Sequence, residues 1–109
     1  MLELIGKLRA MNYEVNLMTN IRGENYSVVA PFEVLFDQVI HCPKSAGERK
    51  TSWENEWIGH AKSADQFLLI DDQEPNVTEA ERLGMKSIQF KNVDLLTQQL
   101  IERHILLAP

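Results

Sequence analysis

The run from Phe67 to Phe90, FLLIDDQEPNVTEAERLGMKSIQF, constrains the fold more than any other stretch of this chain. A continuous apolar run ends in two aspartates. A segment with Val77, Ala80 and Leu83 at helical spacing follows, opened by Pro75 and closed by Gly84, and a second apolar run begins at Ser87. Pro suits a first helical turn and Gly a helix end, so the middle reads as a helix between two strands. The first strand, Phe67–Ile70, does not alternate polar with apolar residues, which is the mark of a parallel strand covered on both faces. Two adjacent carboxylates at a strand end repel each other and contribute little to folding. Their place therefore asks for a chemical reason.

The rest of the chain repeats the alternation. Leu2, Leu4, Ile5, Leu8 and Met11 recur at 3-and-4 spacing and predict an amphipathic helix over roughly the first dozen residues, interrupted at Asn12-Tyr13. Val15, Leu17 and Met18 predict a short buried strand ending at Thr19-Asn20. A helix broken or kinked by Pro31 is expected over residues 23–35, then a strand from Gln38 to Cys42. Residues 43–51 are polar and read as a loop. Ser52 is placed to cap a helix running to about Lys62, with Glu54 and Glu56 in its first turn. Phe67–Ile70 and Ser87–Phe90 are the third and fourth strands. A final amphipathic helix is expected from Val93 through Leu106, with Leu95, Leu96, Leu100 and Ile101 inward and with His104, like His60, at a helix surface. The expected architecture is α/β: one domain over residues 1–109, with a parallel sheet of about four strands and helices on both faces. Ligand sites in such sheets lie beyond the carboxyl ends of the strands. Three of the predicted strands end in Thr19-Asn20, His41-Cys42 and Asp71-Asp72.

Composition excludes several classes. The net charge of -5 comes with no basic stripe, against a nucleic-acid surface. No apolar run approaches the roughly 20 residues that span a bilayer, and the charged amphipathic start reads as neither signal peptide nor anchor. The single Cys42 forms no internal disulfide, and a cytoplasmic setting is expected. The Asn-x-Ser/Thr triplets at Asn25 and Asn76 read as chance in such a chain. His41 and Cys42 adjoin, but two residues do not make a zinc site. Trp53 and Trp57, four apart on one helix face, read as core or interface.

Taken together, LRAMNYEVNLMTN, FDQVIHC, SAGERKTSWENEW and the LIDD, NV, A and LGM pieces of the opening run resemble, in order and almost end to end, the core of the haloacid-dehalogenase-like (HAD) hydrolases. That family consists mostly of magnesium-dependent phosphatases with a doubly wound, Rossmann-like core. The resemblance implies that Thr19 and Asn20 hydrogen-bond a phosphoryl group and that Lys50 neutralises its charge. It also implies that Asp72 ligates Mg²⁺, with Asp71 beside it as a ligand or second acceptor. The chemistry of these residues agrees. A hard divalent ion takes carboxylate oxygens and relieves their repulsion, while a hydroxyl and an ammonium opposite it clamp an oxyanion.

The departures are equally specific. Thr51 stands where the family commonly has Pro, and the connection from Lys50 to Asp71 is shorter than usual. No Asp-x-Asp triplet occurs in the sequence, so the family's nucleophile and acid/base are missing, as is the cap that sets substrate choice. In the family the nucleophile strand lies at the centre of the sheet. Its loss leaves two strand pairs facing a slot, where each buried unpaired backbone group costs about 1–3 kcal/mol. Expected remedies are direct pairing of the strands near residues 15 and 68, or self-association or a partner chain that completes the sheet. The implied function is that of a phosphohydrolase-derived domain inactive in phosphoryl transfer, with a small phosphorylated ligand as its expected partner. A non-catalytic module binding phosphate or protein is one alternative. A receiver-like signalling domain is another, although receivers carry their acid pair after the first strand. Against all of these stands the plain reading in which Asp71-Asp72 starts a turn and caps the next helix, Thr19 simply ends a strand and Lys50 is a solvated loop charge.

Overall fold

A computed structural model describes residues 1–19, 27, 30–41, 53 and 62–108. They are α/β, with helices and short parallel strands in two compact units, Met1–Ser52 and Trp53–Pro109. The first unit contains helix α1 (Leu2–Ala10), strand β1 (Asn16–Thr19), a 3₁₀ helix (Ala30–Leu35) and strand β2 (Gln38–His41). The second contains a 3₁₀ turn (Ala64–Gln66), strand β3 (Leu68–Asp71), helix α2 (Glu74–Arg82), strand β4 (Lys86–Gln89) and helix α3 (Val93–Glu102).

The strands form two parallel pairs. β1 runs beside β2 with Asn16 opposite Gln38 and Thr19 opposite His41, and β3 runs beside β4 with Leu68 opposite Lys86 and Asp71 opposite Gln89. The described strands thus form two two-stranded parallel sheets, one in each unit.

Helices α1, α2 and α3 end in the same way. The residue after the C-cap takes a left-handed conformation: Asn12 at φ +69°, Gly84 at +94° and His104 at +61°. The next amide then reaches back over the helix end, Tyr13 to the Leu8 carbonyl (3.1 Å), Met85 to Ala80 (2.9 Å) and Ile105 to Leu100 (2.9 Å). A second bond joins the left-handed residue itself to Arg9, Glu81 or Ile101, at 3.0 Å in each case. This is the Schellman arrangement, which satisfies carbonyls that the helix leaves without partners. Gly84 has no Cβ to clash in this conformation, and a Cβ built there would meet Ala64 at an ordinary 3.6 Å. The need for glycine is therefore conformational.

The final helix is shorter than its apolar spacing predicts. It stops at Glu102, four residues before Leu106, and His104 lies in the reversal after it. Leu106 is nonetheless buried, because the reversal folds it back; its amide also reaches the Leu100 carbonyl at 3.2 Å. At its start the Asn92 side chain accepts the Leu95 amide at 2.8 Å, a cap that stabilises a helix by about 1 kcal/mol. Leu96 and Leu100 are its fully buried residues, each contributing roughly 2 kcal/mol by leaving water, while Leu95 and Ile101 are only half buried.

Helix α2 packs against β3 and β4 through Val77 and Ala80, as its spacing predicts. Ser87 on β4 ties the unit together. Its hydroxyl donates to Glu81 at 2.6 Å, and its carbonyl accepts from the Arg103 guanidinium at 3.0 Å.

In the first unit Leu4, Ile5 and Leu8 are the buried face of α1, whereas Leu2 is exposed. The helix expected over residues 23–35 is, where described, the 3₁₀ helix Ala30–Leu35. Pro31 is tolerated there because amides at a helix start have no partner inside it. Strands β3 and β4 each lie one residue off expectation, with Asp71 inside its ladder, while Cys42, the expected last residue of β2, lies outside the described residues. Of the helix expected over residues 52–62, Trp53 is helical and buried, Lys62 is not helical, and the residues between lie outside those described, Trp57 and His60 among them.

Asp37 joins three elements of this unit. Its carboxylate accepts the Val15 amide at 2.7 Å and the Arg9 guanidinium at 2.9 and 3.2 Å, while Arg9 also donates to the Val34 and Leu35 carbonyls. The Val15 amide, followed by Arg9, holds the Asp37 carboxyl below its ordinary value of 3.8. A depressed carboxyl stabilises the fold above its ordinary value, and that contribution disappears as pH falls through the lowered one.

Two stability predictions result. Replacing Gly84 with Ala should destabilise by about 1–2 kcal/mol, and replacing His104 with Gly should stabilise by about 0.5–1 kcal/mol, both measured by chemical denaturation. The Asp37→Asn variant should be less stable than the parent near neutral pH, with the difference shrinking as pH falls well below 3.8. A difference that stays constant with pH would show that the charge does no work there.

Candidate functional site

The predicted site residues divide between the units. Thr19 is the last residue of β1, in register with His41 at the end of β2. Asn20, Cys42 and Lys50 lie outside the described residues. Asp71 and Asp72 belong to the second unit, at the carboxyl end of β3 and just beyond it.

The two aspartates have different jobs. Asp71 is half buried and closes the turn into α2. One carboxylate oxygen accepts the Gln73 amide at 2.8 Å, two residues on, and the other accepts the Asn76 side-chain amide at 3.2 Å. This is an Asx turn, the hydrogen-bonding pattern that makes Asp common where a strand passes into a helix. Its carbonyl meanwhile accepts the Phe90 amide at 2.8 Å, extending the β3–β4 ladder to the turn. The helix N-cap, Gln73, makes no side-chain cap of its own. The plain reading of an acid that begins a turn thus describes Asp71 well, except that it acts from two positions before the cap.

Asp72 is exposed, and its carboxylate has no hydrogen-bond partner among the described residues. Its backbone is held instead: the Gln89 side-chain amide donates to the Asp72 carbonyl at 3.3 Å, joining the turn to the end of β4. Gln89, which sequence reasoning did not single out, is therefore the neighbour that steadies the site from the adjacent strand. Its register opposite Asp71 is the signal that a strand-by-strand reading lacked.

The chemical capacity of the pair lies in its donor set. A carboxylate oxygen accepting one N–H keeps a second lone pair, so Asp71 retains acceptor capacity although its orientation is fixed. Asp72 offers both oxygens to solvent. Mg²⁺ is usually held by one or two carboxylates, with water or phosphate filling its other positions, and the acid pair fits that mode. It does not fit a cage made wholly of protein: among the described residues no three His, Cys, Asp or Glu side chains converge.

No protein-family model matches this sequence, and no curated protein is significantly similar to it.

The division of labour is testable by paired substitutions. Asp71→Ala removes two hydrogen bonds and should destabilise the protein by about 1–2 kcal/mol. Asp72→Ala removes none and should stay within about 0.5 kcal/mol of the parent. Equal losses in a denaturant titration would mean that both acids are structural.

Proposed function

We propose that this chain is a haloacid-dehalogenase-like core derivative that binds a small phosphorylated ligand through Mg²⁺ and does not itself transfer the phosphoryl group. The observation that carries this reading is the exposed carboxylate of Asp72, set at the carboxyl end of a parallel strand–helix–strand unit beside a neighbour already fixed in place. A strand end of this kind is where open α/β sheets bind ligands. In this reading the four strands belong to one Rossmann-like sheet with helices on both faces, completed by self-association or by a partner strand. The ion would be held by Asp72 with Asp71 beside it, and it would supply positive charge to the ligand's phosphate oxygens. Thr19 and Asn20 would donate hydrogen bonds to the same group, and Lys50 would neutralise part of its charge. The expected setting is cytoplasmic.

The non-catalytic part of this reading rests on the sequence. Phosphoryl transfer in such a site needs a nucleophile, and the carboxylate the family uses for it sits in an Asp-x-Asp triplet that these residues do not contain. A metal ion, a hydroxyl and a lysine stabilise the phosphoryl group without providing an acceptor for it. The domain is thus read as a binding module built on a hydrolase scaffold.

The test is isothermal titration with inorganic phosphate in the presence and absence of Mg²⁺, alongside an assay of a generic phosphate ester. Heat of binding should require Mg²⁺ and weaken at least about tenfold in Asp72→Ala, a loss of about 1.4 kcal/mol or more. The ester should remain intact. A flat titration of the parent would sink the binding reading, and turnover that disappears in Asp72→Ala would overturn the non-catalytic one.

A further inference from the structure

We draw no further inference here: the strongest candidate, the exposed apolar surface patch of Phe32 and Val34 on the 3₁₀ helix Ala30–Leu35, is an unpartnered apolar face, and nothing in the structure shows what covers it.

Discussion

The left-handed residue at the end of α1, α2 and α3 is the constraint on which the described structure depends. A parallel strand pair needs its connecting helix to stop and the chain to reverse within very few residues. In the second unit Gly84 does this: the Ala80 carbonyl accepts the Met85 amide across it, and β4 begins at the next residue. Asn12 makes the same reversal ahead of β1, with three residues between it and the strand. Both residue types enter this region of backbone space at low cost, Gly for want of a Cβ and Asn through its short polar side chain. His104 occupies it with no such advantage. The reversal there is maintained by its two successors, through the paired amides of Ile105 and Leu106 and the burial of Leu106.

At the other end of the crossover, α2 is started by an acid rather than ended by a glycine. Asp71 belongs at once to the ladder, through its carbonyl, and to the turn, through its carboxylate. Because both its oxygens accept N–H groups, its charge is partly spent on local structure. Asp72, one residue later, lies outside the ladder and carries its charge into solvent. The repulsion between neighbouring acids is thereby reduced on one side only. An asymmetric pair of this kind can offer a free carboxylate without losing the turn that holds it.

Much of this was legible in the sequence. The strand–helix–strand order, the stop at Gly84 and the buried positions Val77, Ala80, Leu96 and Leu100 all follow from apolar spacing and turn chemistry. The end of α3 was not, for a definite reason. Ile101 and Ile105 are four apart, so apolar spacing continues past Glu102, yet a Schellman reversal also favours an apolar residue after its left-handed position. Periodicity cannot separate the two. The strand boundary at Asp71 was missed because aspartate is disfavoured in strands, yet Asp71 pairs with Gln89 in the ladder and its carbonyl accepts the Phe90 amide. The Arg9–Asp37 pair spans 28 positions and carries no local signal at all. Of the candidate site, sequence reasoning found the acid pair and its strand end. It did not find the unequal roles of the two acids, which depend on where the Gln73 and Asn76 donors lie.

The bond from Arg103 to the Ser87 carbonyl has a consequence for the sheet. The Lys86 and Phe90 amides donate to β3, so in a parallel ladder the backbone groups of Ser87, one residue out of phase, face away from it. That outward carbonyl is the kind of acceptor by which a foreign chain grafts itself onto an open margin. Here the guanidinium of Arg103, the residue that caps the end of α3, already covers it. Lateral growth along β4 would first have to evict an arginine, a built-in safeguard against sticking.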